Sequence, residues 1–521
     1  MDGSIGPMEL PTRMQYRFRE INKILKQTVY LVPNNGQANV SAGDTIIVEL
    51  PQNSVIDFST FVMDYTGETT NGGKDSAGAV GFVQTRFFPR NTASIIEQLD
   101  VEINGQTRFT LNNYGFVYNT LFDLTAAQDS LNRRKVGENA DPSSKYVANV
   151  TTGAISERRG YSIALATNDA AIDKENYVIR SWLGLLNPST SILDTSILGS
   201  VVIKIRLAPA SCLIAGAVNS AGITGVLETA SETNIAVTAV ASTDTVITTA
   251  AAVTATTANY ILSNVKFTIV RYDLPAEFYA LEHAKLGSGA VFKIWFPNYS
   301  VQSCPAVTAV NKKGVNRTSI SCRSLDWVMG TFRLPTFTTI GGPLNALGTA
   351  PAPTGQIGQN PYTFDSQVRA GARRLFNNSR YFARNGSSIK DCQWQVGMSQ
   401  YPTRNIMQQF EGALQHFNIQ NDQGSGGMYP GIQSIHHFRE TFYCDILSLN
   451  CNQSETDYVI SGLNTQETPL QITWNVNAND TASAAIDTLI PNTTDTCTPY
   501  LICGYTSCLE VRGGRQITII N

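Results

Sequence analysis

The residues best suited to chemistry in this chain are its four histidines, its nine cysteines and a modest set of carboxylates. His436 and His437 form the one adjacent histidine pair, with His283 and His416 elsewhere. A zinc centre or a histidine-activated nucleophile needs its groups converging on one point, with a carboxylate or thiol placed beside them. Adjacent residues of a strand point to opposite faces, so His436 and His437 are poorly placed to share a ligand. They read as ordinary strand residues. Among the cysteines, Cys212 stands alone in the first half; the rest run from Cys304 to Cys508 without a CxxC pair or a histidine-rich spacing. An odd count with no export signal predicts reduced thiols inside strands, not a disulfide framework.

Phosphate and cation chemistry fare no better. There is no GxxxxGK[ST] loop, and Gly341-Gly342 and Gly424–Gly427 lie in stretches rich in Pro, Ser or Gln that read as turns. Asp123 and Asp129 could touch a cation, but nothing around them resembles an ordered calcium loop. The sequons at Asn298 and Asn492 arise by chance in a chain rich in Asn and Thr. No catalytic residue, cofactor or metal is therefore expected, and the chain is not expected to be an enzyme. One cluster does suggest a partner: Arg13, Arg17, Arg19, Lys23 and Lys26 surround a helical stripe of Met14, Phe18, Ile21 and Leu25. This predicts a basic amphipathic arm over residues 1–27.

The elements that carry these residues are mostly strands. At 521 residues the chain is longer than one compact core usually holds, so two domains are expected. A net charge of −3 with 15% charged residues argues against a chain that wraps nucleic acid. Abundant Thr, Ser, Asn, Val and Ile, with 40 Gly and 21 Pro, suit short strands and turns. The first twenty residues hold no continuous apolar run, so no secretory signal is expected there, and no window is long and apolar enough to span a membrane.

Residues 94–122 read SIIEQLDVEINGQTRFTLNNYGFVYNTLF. Ile95, Leu99, Val101 and Ile103 share one strand face, while Gln98, Asp100, Glu102 and Asn104 share the other. Asn104-Gly105 signals a hairpin turn. Tyr114, Val117, Tyr118, Leu121 and Phe122 then fall on one face of a helix. The same order returns at 388–417, SIKDCQWQVGMSQYPTRNIMQQFEGALQHF, where Cys392, Trp394, Val396 and Met398 alternate and Pro402 ends the segment. Ile406, Phe410, Ala413, Leu414 and Phe417 supply the second helical stripe. Further echoes follow in order: YVIRSWLGLLN (177–187) with FYCDILSLN (442–450), SVVIKIRLAP with PLQITWNVNA, and YILSNVKFTIV with YLICGYTSCLEVRG. AEFYALEHAKLG after Pro275 reads as a helix at the joint. The preserved order predicts an antiparallel β-sandwich written twice. The boundaries read as an arm at 1–27, a first sandwich at 28–275, a helical linker at 276–290 and a second sandwich at 291–521.

A strand-rich unit with an inserted helix, duplicated over this length, resembles the double jelly-roll major capsid proteins of the adenovirus-like lineage of icosahedral DNA viruses. In size and style it is most similar to those of virophages and polinton-like viruses. The resemblance covers almost the whole chain and rests on SIIEQLDVEINGQ…NNYGFVYNTLF, VVIKIRLAP and NVKFTIVRYDLP, since the family has no short catalytic signature. It implies a mainly β fold of two tandem eight-stranded antiparallel jelly rolls, each with a short inserted helix. It also implies a homotrimer forming a pseudo-hexagonal capsomer, a tiled shell around a DNA genome, and penton and minor capsid proteins as partners. The location implied is the virion. Residues 67–82, 215–259 and 338–362 become candidates for outer towers or trimer-locking loops. The arm, with Arg13, Arg17, Arg19, Lys23 and Lys26, would lie inside against a neighbouring trimer, an internal membrane or the genome. Two other readings stay open: a coat protein of a small RNA virus, with one shell domain and a protruding domain, and a two-sandwich carbohydrate-binding or glycan-active protein, which would need paired carboxylates and an aromatic platform.

Overall fold

The computed structural model describes residues 25–34, 39–70, 82–89, 92–125, 146–148, 155–157, 174–187, 192–219, 259–305, 313–333, 381, 389–407, 447–451, 462–476 and 498–521. Besides shorter strands such as Asn39–Ser41 and Ile192–Asp194, which pair into the same sheet, the main sheets of the first half hold eight strands: β1 (Leu25–Leu31), β2 (Thr45–Glu49), β3 (Val55–Thr70), β4 (Ile96–Ile103), β5 (Gln106–Asn112), β6 (Lys174–Ile179), β7 (Val201–Leu207) and β8 (Asn259–Asp273). The second half repeats them as β9 (Phe292–Ser303), β10 (Lys313–Arg317), β11 (Leu325–Arg333), β12 (Ile389–Val396), β13 (Ser399–Met407), β14 (Leu447–Asn450), β15 (Leu470–Val476) and β16 (Thr498–Arg512).

These strands pair antiparallel in the order β1-β8-β3-β6 against β2-β7-β4-β5, then β9-β16-β11-β14 against β10-β15-β12-β13. Adding eight to each label converts the first sandwich into the second. This order is the jelly roll, in which the last strand of each unit returns to lie between the first and the third. Alternation explains the pairing. In β7, Val201, Ile203, Ile205 and Leu207 are buried while Val202, Lys204 and Arg206 face outward. In β4, Leu99, Val101 and Ile103 are buried opposite them in register. Lys204 of β7 and Glu102 of β4 form an ion pair on the outer side. The β4–β5 turn uses Asn104 and Gly105, both with positive φ (53° and 73°), which matches the right-handed twist of the flanking strands.

Helix α1 (Tyr114–Thr125) follows β5, and helix α2 (Ala276–Gly287) runs between β8 and β9. α1 was expected to bury one face. Instead every residue from Tyr114 to Leu121 is buried, including Phe116, Asn119 and Thr120. A helix buried all round needs cover on two sides, and the second sandwich supplies the second. In α2, Glu277 lies in the first turn and Lys285 in the last, each complementing the helix dipole.

Several expectations are corrected. Leu25 and Lys26 belong to β1 rather than to a helix, because the strand pairs with β8 from Leu25 opposite Asp273 onward, and pairing overrides helical spacing. Met14, Phe18 and Ile21 lie outside the described residues. The second hairpin turns at Gly397 and Met398, so β12 ends at Val396, and Pro402 and Ile406 sit within β13. Pro402 is accommodated because β13 pairs with β12 alone among the described strands, at a register irregularity. Phe410, Ala413, Leu414 and Phe417 lie outside the described residues. Within 177–187, strand β6 ends at Ile179, and Gly184–Leu186 forms a tight helical turn.

Gly115 lets α1 approach the backbone that enters β4. A Cβ there would lie 2.1 Å from the Ser94 carbonyl oxygen and 2.8 Å from that of Ile96. Gly115→Ala should therefore push the helix off its seat and destabilise the protein by roughly 1–3 kcal/mol, the range for an overpacked core. Thermal melting checks this; an unchanged midpoint would show that α1 is not seated this tightly.

Candidate functional site

Among the described residues, the arrangement most in need of explanation is the junction between the two sandwiches. The large sheet of the second sandwich, β9-β16-β11-β14, has two different faces. Val328, Leu501 and Cys503 point inward and join Trp394, Ile472 and Trp474 in the second sandwich's own core. Trp327, Met329, Tyr500 and Ile502 point outward and join the core of the first sandwich. Phe296 of β9 meets Phe109 of β5 edge to face at 6.1 Å, and Tyr500 of β16 meets Phe116 of α1 at 5.8 Å. Gly184 presses its backbone onto the Phe109 ring, where an added Cβ would lie 2.0 Å from a ring carbon.

Arg333, the last residue of β11, lies at the centre of this junction with 0% of its surface exposed. Its guanidinium sits 4.2 Å from the Phe116 ring centre and 5.1 Å from those of Tyr381 and Tyr500. Nη2 donates to the Tyr381 carbonyl at 2.7 Å, and Nη1 to Asn113 Oδ1 at 3.4 Å. Tyr381 in turn donates its hydroxyl to the Glu97 carboxylate at the start of β4. A buried cation is thus held by aromatic faces, a carbonyl and an amide from both halves, with a carboxylate one residue away. Burial raises the Glu97 carboxyl above its ordinary value, partly offset by the positive charges of Arg333 and Arg206. At a second point Arg515 donates to the Ser196 carbonyl at 3.3 Å, tying the chain end of the second sandwich to the first.

Sequence patterning did not single out this cluster. Arg333, Phe116, Tyr381, Tyr500 and Glu97 come from five separated segments, and the one local hint is an arginine ending an apolar strand. Of the basic cluster proposed for partner contact, Arg13, Arg17, Arg19 and Lys23 lie outside the described residues. Lys26 stands on β1 with its ammonium 6.0 Å from the Tyr272 ring centre. His283 is exposed on α2, and His416, His436 and His437 lie outside the described residues. Cys212, Cys304, Cys322, Cys451, Cys503 and Cys508 are free and buried. Burial pushes the Cys304 thiol up to about 11, so it stays protonated and unreactive at neutral pH. Asn298, despite its sequon, is buried in β9 and donates to Ser507 Oγ at 3.0 Å. Among the described residues no group of three or more His, Cys, Asp or Glu could hold a metal ion.

No protein-family model matches the chain, and no curated protein sequence matches it. Solved structures do. The structure described as "PBCV-1 virus capsid, quasi-atomic model" aligns with a TM-score of 0.51 at 12% identity, covering 96% of this chain and 97% of that one. The PBCV-1 VP54 crystal structure, fitted into a reconstruction of the Sputnik virophage, aligns with a TM-score of 0.50 at 10% identity, covering 96% and 97%. The likeness runs through both halves and shows the fold: two jelly rolls in tandem.

Two outcomes follow from the junction. Arg333→Ala removes the cation and leaves Glu97 buried beside it, a change that costs about 3–5 kcal/mol; calorimetry should show the single melting transition splitting in two as the sandwiches uncouple. Arg333→Lys should recover only part of the loss, since an ammonium cannot stack and fork as a guanidinium does. A single unshifted transition in Arg333→Ala would contradict this role. For Glu97 the folded value lies above the ordinary 4.5, so the folded chain binds the proton first as pH falls. Its contribution to stability then rises on acidification through that raised value and stops growing below 4.5. Glu97→Gln should flatten that part of the melting-temperature profile.

Proposed function

We propose that this chain is a major capsid protein whose trimers form pseudo-hexagonal capsomers that tile an icosahedral shell around a DNA genome. The observation that carries the reading is the repeat itself: the same strand order written twice, with the second unit seated on the first through a fully buried junction. Two sandwiches joined covalently present two of six lobes, so three chains complete a hexagonal outline that packs by local contacts. The solved structures that share this fold over nearly the full length come from a virus capsid, which agrees with it. A shell domain with an unrelated protruding domain would not produce two matching sheet orders.

Assembly is the mechanism, and it includes no bond-making step. Trimer contacts, being permanent, should bury about 2,000 Å² or more. Contacts between trimers are smaller and repeat under symmetry, so each is modest and their sum is strong. The low charge fraction suits this, because Asn, Gln and Thr can bond across an interface without burying an unpaired charge. Penton and minor capsid proteins are the further partners this reading calls for, and the virion is the location. Arg13, Arg17, Arg19 and Lys23, leading into Lys26 at the start of β1, would clamp a neighbouring trimer on the inner side, in preference to an internal membrane or packaged DNA. No helix among the described residues is long and apolar enough to cross a membrane.

Mass in solution tests the reading. Three times 56.6 kDa, about 170 kDa, is expected, and a stable monomer would contradict it. Deleting residues 1–24, which leaves β1 whole, should spare the trimer and impair shell closure; normal particles from the truncated chain would sink the clamp.

A further inference from the structure

Helix α2 is thinly supported. It has twelve residues, and isolated helices shorter than about 12–15 residues are marginal in water unless packing covers a face. Of those residues only Leu286 is buried, beside Gly513, where an added Cβ would lie 2.8 Å from the Leu286 carbonyl oxygen. Tyr279 and Glu282 are half-exposed on the same side, and the Tyr279 hydroxyl accepts from the Leu274 N–H at 3.3 Å. Pro275 precedes the first turn without a side-chain cap. Phe278 and Leu281, at i and i+3, stand 40% and 55% exposed on another face, with Ala280 and Ala284 also exposed. A helix this short, uncapped and seated by a single leucine calls for cover on that second face.

The chain itself carries a segment that fits it. β1 begins at Leu25, paired with Asp273, and neighbouring strands run about 5 Å apart. Asp273 ends β8, and α2 starts at Ala276. The chain therefore enters the sheet next to the first turn of α2, and Leu25 is 52% exposed there. The residues before Leu25 include Met14, Phe18 and Ile21 at i, i+4 and i+7, with Arg13, Arg17, Arg19 and Lys23 among them. As a helix, residues 14–23 would span about 15 Å, close to the ~18 Å of α2. Charge agrees: Glu277 is exposed in the first turn, while the α2 cation Lys285 lies in the last with its ammonium on Glu282 at 2.6 Å. A surface pair of this kind adds little, so the apolar contact decides the fit.

We propose that Met14, Phe18 and Ile21 of the N-terminal arm dock on the Phe278–Leu281 face of α2 in the same chain. The contact covers the face of α2 that its seat on Leu286 leaves exposed, and it gives the apolar stripe of the arm a partner without a second copy. It also holds Arg13, Arg17, Arg19 and Lys23 at a fixed place beside the joint between the sandwiches, which is what a clamp on a neighbouring copy needs. The inference goes beyond the capsid reading and does not depend on how many copies assemble.

Photocrosslinking in the full-length protein tests it. Irradiation of the Leu281→p-benzoylphenylalanine variant should give a crosslink to residues 14–21, mapped by mass spectrometry, in a product that stays at 56.6 kDa under denaturing conditions. A product of twice that mass, a crosslink to another segment, or no crosslink overturns the docking. Deleting residues 1–24 should make the α2 amides exchange hydrogen about tenfold faster, while those of β3 and β8 keep their wild-type rates and show the fold intact. Phe278→Glu combined with Leu281→Glu should do the same to α2 in the full-length chain. Unchanged α2 exchange in both variants overturns the docking. Loss of shell closure in the deletion would then still leave the clamp standing, so the two readings fail separately.

Discussion

The arrangement depends on one buried charge. Arg333 has no contact with water, yet its guanidinium lies among Phe116, Tyr381 and Tyr500 and bonds to backbone and side chain of both halves. An isolated cation in such a place would be prohibitive. Aromatic faces, a carbonyl and the Tyr381–Glu97 link make it tolerable only if all of them are in position together. That requirement makes the relative placement of the sandwiches specific. Apolar packing around Phe109 and Phe296 holds the surfaces together, and the arginine fixes which way they face.

From this constraint the rest of the molecule follows. Because the second sandwich is seated on α1, that helix is buried all round and must enter through Gly115. Because β16 and β11 are covered on both faces, they can be apolar on both sides, unlike β8 and β3. The chain is thus two units of one pattern, joined through a single buried contact.

Much of the fold was legible in the chain. The alternation in VVIKIRLAP and SIIEQLDVEI, the Asn104-Gly105 turn and the apolar stripe of α1 are local signals, and they led to the right strands, turn and helix. The repeat was legible because order survives where letters do not. Failures came where distant pairing overrode local spacing. Leu25 and Lys26 continue a helical period but pair with β8, and Ile406 falls at i, i+4 from Phe410 yet lies in β13. The junction was invisible for the same reason: Arg333, Tyr381, Glu97 and Phe116 acquire meaning only when the two sandwiches meet. The basic cluster beyond Lys26 lies outside the described residues, and its role rests on the charge pattern alone.

The central claim is that two sandwiches per chain, locked at a fixed angle, form part of a closed hexagonal ring. A single-particle reconstruction of the purified assembly tests it most directly. The account predicts six jelly-roll lobes around a three-fold axis, with the two lobes of each chain meeting through the Arg333 junction. A lobe count other than six, or the two sandwiches of one chain tumbling independently, would contradict it.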